Sequence, residues 1–514
     1  MSSGKSMKRN AMILFILMGL SKVLGLVRES FMDFYYGAGM VSDAYLAASR
    51  VPNFLFGILA GGLVSTFIPM YSRIINRSDK KEANAFMNNV LTFIFFITLF
   101  LFVVGMIFTK ELVFLNASGF EGEQLQLTIE FTRITLFALL TNGVFSIFNG
   151  YSQYEEKFHV QPIAGFIMNI IIISSIVLSG MIEKPILMVY GLVLGSLLQV
   201  VFIVITTYRT GEFKYKFRFD LKDQYVKPMF FMALPIIFGT SVSQINGVID
   251  TTMASQFGKG AYSIVTYSSR ISDAVFTLFV ASITTVMYPV IIKQVVNKEY
   301  DQMKSSLTEI MNLIALIIIP ATIGLIVLAD PVSRLFFKNT ASQGNELYFA
   351  LMGAVVGLLG QSYKDVLVRS FYAFNDMKTP LYASVAQVLT NVVLNFILGA
   401  LFGVAGLTLA TSIASYIGVL ILYVILNKRM QGLQSRRLLK TISKISVSSI
   451  VMGVIVLIIY QQLSIRELPN LIVLGTSIAT GGIVYLIGLF LLKVEELHEM
   501  IRLVKGKLKI GQGK

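Results

Sequence analysis

The sequence predicts an all-α polytopic membrane protein. About fourteen transmembrane helices are expected, as two six-helix bundles around a central cavity plus two C-terminal helices. Three observations predict this. The 514 residues are 55% hydrophobic and only 14% charged, with mean hydropathy +0.74, whereas a water-soluble domain carries about 25% charged residues. Apolar runs of roughly 18 residues or more recur along the whole chain, each long enough to cross a bilayer. The basic residues fall in alternate loops.

Hydropathy places the helices near 11–34, 43–72, 85–108, 127–150, 160–181, 186–207 and 229–256, then 261–290, 306–329, 346–372, 380–401, 405–427, 445–462 and 469–492. The first apolar run has no small-residue cleavage site behind it, so no signal peptide is expected. One set of loops comprises the N-terminus, Arg73 to Lys81, Arg209 to Lys227, Lys293 to Lys304, Lys428 to Lys444 and the tail from Lys493 to Lys514. With Lys157 and Lys378 this set holds 30 of the 43 Lys and Arg, and the opposite loops hold six. That asymmetry puts both termini in the cytoplasm and requires an even number of spans. It also explains the net charge of +15 without any nucleic-acid partner.

Basic connectors follow the sixth and twelfth spans. Each half also carries an aromatic, acidic and Lys segment before its fifth helix. One runs from Gly150 to Lys157 with Asn169 beyond; the other runs from Phe371 to Lys378 with Asn391 beyond. The layout suggests parallel repeats, as in many transporters. It divides the chain into a bundle over 1–227, a second bundle over 228–440 and two additional helices with a basic tail over 441–514.

Several chemistries are excluded. There is no cysteine, and the two histidines, His159 and His498, fall in polar segments, so a metal centre or triad built on them is not expected. The GxxxxGK loop followed by Ser or Thr is missing, so the chain is not an ATPase. No enzyme is predicted, and transport would draw on an ion gradient or the membrane potential.

Seven basic residues lie inside spans: Lys22, Arg28, Arg50, Arg133, Arg270, Lys364 and Arg369. A charge at the bilayer centre costs about 2.5–3.5 kcal/mol on insertion scales, so each needs a partner, a wet cavity or a route to the headgroups. Arg133, Lys364 and Arg369 fit snorkelling as well as a cavity. At about 100° per residue, Ser21, Lys22, Gly25, Arg28, Glu29 and Asp33 share one arc of the first helix. Asp43 opens the second helix and Arg50 follows two turns on. Pro52 and Gly61-Gly62 then predict a kink. Arg28 and Arg270 read either as cavity cations or as structural partners of Glu29, Asp43 or Asp273. In the cavity reading, the planar guanidinium suits a phosphate-bearing anion. Asp250, Asn391, Asn395 and Thr411 supply oxygens that suit a small hard cation, or a polar cluster that glues helices.

The stretch Ser21-Lys22-Val23-Leu24-Gly25-Leu26-Val27-Arg28-Glu29 resembles the opening S-R-x-x-G-x-x-R-D/E of the MurJ (MviN) family. Gly37-Ala38-Gly39, Ser42-Asp43-Ala44-Tyr45 and Val51-Pro52-Asn53 follow in the family's order. Ser243-Gln244-Ile245-Asn246, Tyr267-Ser268-Ser269-Arg270 and the run from Arg369 to Pro380 are similar to later family elements. The resemblance covers about residues 10 to 430. It implies the MOP exporter fold and a flippase for lipid II, the undecaprenyl-diphosphate-linked peptidoglycan precursor, in the bacterial cytoplasmic membrane. Carried over, the cargo-binding charges are Lys22, Arg28, Asp43, Arg50 and Arg270. A possible sodium site falls on Asp250, Asn391, Asn395 and Thr411. The chain departs at Lys22, which stands for an Arg, and at Phe56 and Gly57, where many members carry a basic pair.

Three other functions compete. A flippase for another polyprenyl-diphosphate glycan fits the departures at Phe56 and Gly57. A multidrug cation antiporter on the same fold would want acidic cavity residues, against Lys22, Arg28 and Arg50. A membrane scaffold for the cell-wall synthesis machinery would leave the in-span charges without a reason. Expected partners are the glycolipid, membrane lipids and that machinery.

Overall fold

The computed structural model describes residues 2–209, 213–466 and 469–497, so most of the basic tail and His498 lie outside the described residues. Among them the chain forms nineteen helices and no strand. It divides into two compact units, Met1–Tyr267 and Ser268–Lys514. The first holds α1 (Ser2–Tyr36), α2 (Met40–Arg77), α3 (Lys80–Ile107), α4 (Thr109–Asn116), α5 (Gly122–Thr135), α6 (Ala138–Tyr154), α7 (Val160–Ile182), α8 (Ile186–Tyr208), α9 (Val226–Ser255) and the start of α10 (Ala261–Val296). The second holds the rest of α10, then α11 (Tyr300–Val327), α12 (Ala329–Phe336), α13 (Lys338–Gln343), α14 (Glu346–Val356), α15 (Leu358–Ala373), α16 (Lys378–Phe402), α17 (Val404–Arg429), α18 (Ser435–Ser464) and α19 (Asn470–Leu491).

Every predicted span falls on helix, but two are broken. The span predicted at 127–150 is α5 and α6, bent by 41°. The one at 346–372 is α14 and α15, divided at Gly357. Among the described residues, eight helices are each long and apolar enough to cross a membrane. The count rises to ten if bent α2 and the α5–α6 pair are each one span. The other predicted spans are α1, α9, α10 and α14–α15. They carry Arg28, Asp250, Arg270 and the Lys364 to Arg369 group. The chain thus concentrates its in-span charge on a minority of its helices.

Backbone groups freed inside the membrane must be satisfied from within the protein, and three places show how. Pro52 has no N–H for the Ala48 carbonyl four residues earlier; the Thr135 hydroxyl donates to that carbonyl at 2.8 Å. Pro320 in α11 frees the Leu316 carbonyl in the same way, and the Tyr485 hydroxyl of α19 donates to it at 2.7 Å. At the α14–α15 break, Ser412 and Tyr416 of α17 donate to the carbonyls of Gly353 and Val356 at 2.6 and 2.8 Å. A Cβ on Gly357 would meet the Ser412 side chain, so glycine lets the two elements close on each other. The helix α2 bends by 41° between Met40–Leu59 and Gly62–Arg77, where Gly61-Gly62 predicts a kink.

The repeated turns also form. Glu156 and Asn375 each adopt a left-handed conformation, with φ 57° and 58°. The following N–H, of Lys157 and Asp376, returns to the carbonyl five residues back at 2.8 and 3.0 Å. This is the Schellman closure of a helix. The turns match at Glu156 and Asn375, two residues out of step with the sequence pairing of Lys157 with Lys378.

Candidate functional site

The first unit builds its charged groups around α1 and α2. One face of α1 lies along α7. The Ser21 hydroxyl sits where a Cβ on Gly165 would come within 3.1 Å. Arg28 Nη1 donates to Asn169 Oδ1 at 3.3 Å, and the Tyr36 and Ser179 hydroxyls are 2.5 Å apart. The polar arc predicted on α1 is therefore divided. Ser21 and Arg28 face α7, Glu29 and Asp33 are buried, and Lys22 is exposed.

Arg28 Nη2 also pairs with Glu29 Oε1 at 2.6 Å, so the cation is balanced by a carboxylate that is 1% exposed. Its Nε is buried without a hydrogen-bond partner among the described residues. The guanidinium is thus held in place with one donor left over. Arg50 extends from α2 over Gly247 of α9, where any Cβ would overlap Nη2.

Asp43 is the most fully engaged of the predicted site residues. Its Oδ1 accepts from the Ser263 N–H at 2.9 Å and from the Ser263 hydroxyl at 2.5 Å. Its Oδ2 accepts from the Gly260 N–H at 2.6 Å and from Gln124 Nε2 at 3.2 Å. A carboxylate offers about four lone-pair sites, and all are used. Around it, the Ser42 hydroxyl donates to the Gly37 carbonyl, and the Gly39 N–H donates to Ser42. Gly260, at φ +91°, lies against the Ala38 carbonyl with no room for a Cβ. Gly37-Ala38-Gly39 and Ser42-Asp43 thus form a buried clasp between the starts of α2 and α10. Sequence reasoning missed Gln124, Gly260 and Ser263; their only signal was a Gly-x-x-Ser start to a helix.

In the second unit Arg270 is exposed on α10, as is Asp273 one turn on. Of the predicted cation ligands, three come together. Asn391 Nδ2 donates to Thr411 Oγ1 and Asn395 Nδ2 donates to Asn391 Oδ1, both at 2.9 Å. Both asparagines are fully buried. Asp250 is half-buried in the first unit. Among the described residues no group of three or more His, Cys, Asp or Glu could hold a metal ion. Of the residues open to snorkelling, Lys364 donates to Gln387 Oε1 at 2.5 Å, Arg369 is held by Asp365 at 2.9 Å, and Arg133 is exposed.

Comparison with known proteins decides the family. The family described as lipid II flippase MurJ matches residues 32–472. The chain belongs to the MurJ lipid II flippase family. It is 26% identical over 498 residues to a probable lipid II flippase MurJ of Rickettsia prowazekii, covering 95% of this chain and 98% of the relative. It is 28% identical to the Haemophilus influenzae counterpart, covering 84% and 89%. A solved structure of lipid II flippase MurJ in an inward closed conformation matches with TM-score 0.78 and 26% identity, over 93% of this chain and 98% of that one. An inward-facing multidrug MATE transporter of the MOP superfamily matches at TM-score 0.67 and 16% identity, over 82% and 98%, and so shows the fold alone.

Within a MurJ fold, the departures at Phe56 and Gly57 have a packing reason. Phe56 is buried with Val51, Leu136 and Leu139. A Cβ on Gly57 would come within 2.8 Å of Gln244 Nε2 on α9. This close approach of α2 and α9 continues at Gly62, against Ala233 and Ile237. A long basic side chain at either position would have to displace this packing.

Proposed function

We propose that this chain moves lipid II from the cytoplasmic to the outer leaflet of the bacterial cytoplasmic membrane by alternating access. The observation that carries the reading is the match to MurJ over nearly the whole chain, in sequence and in structure. In this reading Arg28 and Arg270 bind the diphosphate, and Lys22 and Arg50 add to the field. Arg28 is suited to this because Glu29 and Asn169 hold the plane of its guanidinium. Asp43 acts on the cargo indirectly, through the clasp that sets α2.

The moving bodies proposed are 1–227 and 228–440, with 441–514 as an appendage and both termini in the cytoplasm. Sodium, bound by Asp250 with Asn391, Asn395 and Thr411, would bias the equilibrium between the bodies. The asparagine pair already spends the Asn391 carbonyl on Asn395, so a bound ion would have to take that oxygen over. Membrane lipids and the cell-wall synthesis machinery complete the proposed partners.

The test is rescue of a cell depleted of its own lipid II flippase, with outer-leaflet lipid II as the readout. The wild-type chain should restore both growth and lipid II exposure. Arg270→Ala should fail while inserting normally, and Arg270→Lys should be impaired because the bidentate fork is lost. A wild-type chain that inserts without restoring lipid II exposure refutes the cargo. Normal growth with Arg270→Ala refutes the diphosphate role.

A further inference from the structure

The basic connector after α8 is a built strap. Asn89 Nδ2 donates to the Asp220 carbonyl and Asn89 Oδ1 accepts from the Asp220 N–H, both at 2.9 Å. Asn88 Oδ1 accepts from the Lys216 N–H at 3.1 Å, and the Thr92 and Tyr215 hydroxyls are 2.9 Å apart. Phe213 is buried at one end of the strap. At the other, Asp223 accepts from the N–H groups of Tyr225 and Val226 and so caps α9. The strap is therefore anchored on α3 at Asn88, Asn89 and Thr92.

Its place on α3 sets its depth. The mainly apolar, uncharged stretch of α3 from Val90 to Ile107 is about 27 Å long at 1.5 Å per residue, close to the thickness of the hydrocarbon core. Asn88 and Asn89 stand at the edge of that stretch, and Thr92 lies within its first turn. The Phe219 ring packs on Phe93 and Phe96, with centroids 4.7 and 5.3 Å apart. The strap is therefore level with one end of the apolar stretch of α3.

Its side chains alternate as an extended segment requires. Odd positions from 217 to 221 are apolar and exposed: Phe217 and Leu221 at 70%, Phe219 at 48%. Lys214, Lys216, Arg218 and Lys222 take even positions and are exposed. Arg218 faces Asp220 and Asp223, both at 3.4 Å, which leaves the lysines as the strap's outward charge. Apolar side chains this exposed are costly in water, and lysines beside them suit a phosphate layer.

We propose that residues 213–222 form an interfacial site for anionic glycerophospholipids. Phe217, Phe219 and Leu221 enter the acyl chains, and Lys214, Lys216 and Lys222 hold headgroup phosphates. The site is separate from the cargo charges and needs no flipping to be detected.

The chain has no tryptophan, so Phe217→Trp introduces its sole indole. The full-length variant is placed in bilayers of mixed phosphatidylglycerol and phosphatidylcholine, with one lipid at a time brominated on its acyl chains. Fluorescence should be quenched, and more strongly when phosphatidylglycerol carries the bromine. The expected preference is about fivefold in apparent association for each lysine that engages a headgroup. Combining Lys214→Gln, Lys216→Gln and Lys222→Gln should remove the preference and keep the quenching. No quenching by either lipid, as in water or beneath a protein partner, overturns the proposal; so does equal quenching by both lipids with the lysines present. An indole from Phe100→Trp, on the exposed flank of α3, should be quenched equally by both lipids in every background. If the Phe217→Trp protein misfolds, Leu221→Trp carries the same comparison.

Discussion

At the scale of single residues, Arg28 carries two roles that substitution can separate. It balances Glu29, a buried carboxylate, and it offers a held guanidinium to a diphosphate. Removing one partner of a buried pair costs about 3–5 kcal/mol, so Arg28→Ala should lower thermal stability and abolish flipping. Arg28→Ala with Glu29→Gln should recover most of the stability but no flipping. If flipping returns as well, Arg28 serves only to neutralise Glu29. A second charge can be tested by pH. Asp376, in the turn before α16, is pushed up by burial. Hydrogen bonds from the Thr379 N–H and hydroxyl, the Arg429 guanidinium at 3.1 Å and the Lys378 N–H outweigh this and hold its carboxyl below the usual range. Its folded value lies below the unfolded one, so its stabilisation is complete above about pH 4 and fades as pH falls through the folded value. Asp376→Asn should therefore unfold at a lower temperature than wild type at neutral pH, and the gap should close in acid. A gap that does not change with pH would show that packing of the turn, not its charge, is at work. The identities of the charged residues were legible in the sequence, because a charge inside an apolar run announces itself. Their partners were not. Nothing in the spacing of Asn169, Gln124 or Ser263 links them to Arg28 or Asp43, since those contacts span 81 to 220 positions.

At the scale of elements, hydropathy placed every predicted span on helix, and eight to ten of them are long and apolar enough to cross a membrane, because length and apolarity are local properties. It could not show the breaks at Thr135–Ala138 and Gly357. A broken helix keeps its apolar composition, and only a neighbour that satisfies the freed carbonyls makes the break tolerable. Pro320 was visible, but its helper Tyr485 lies 165 positions away in α19. This pairing makes a prediction. Tyr485→Phe keeps the ring and removes the donor, leaving the Leu316 carbonyl buried and unsatisfied at a cost of about 1–3 kcal/mol. Pro320→Ala restores the backbone donor. The Tyr485→Phe penalty, measured by unfolding in detergent, should therefore shrink when Pro320→Ala is already present. Equal penalties in the two backgrounds would mean that the hydroxyl does not serve the proline-freed carbonyl.

At the scale of the whole molecule, alternating access requires that one end open while the other is shut, and the Asp43 clasp is the structural feature that bears on it. It ties the starts of α2 and α10 through three hydrogen bonds to one carboxylate, with a fourth from Gln124 of α5, and bonds to a charged group are worth about 1.5–3 kcal/mol each. On the proposed orientation this end faces away from the cytoplasm, so releasing lipid II to the outer leaflet would require the clasp to part. The chain has no native cysteine, which makes crosslinking clean. Ala38→Cys and Lys259→Cys flank the contact between Ala38 and Gly260. A short thiol-reactive crosslinker cleavable by reductant should join them and stop flipping, and reduction should restore it. Asp43→Asn places an amide donor among groups that already donate, so it should weaken the clasp. It should lower both the crosslinking yield and the unfolding temperature. A crosslinked protein that exposes lipid II at the wild-type rate would show that the clasp is a permanent brace, and that the cargo leaves without parting these two helices.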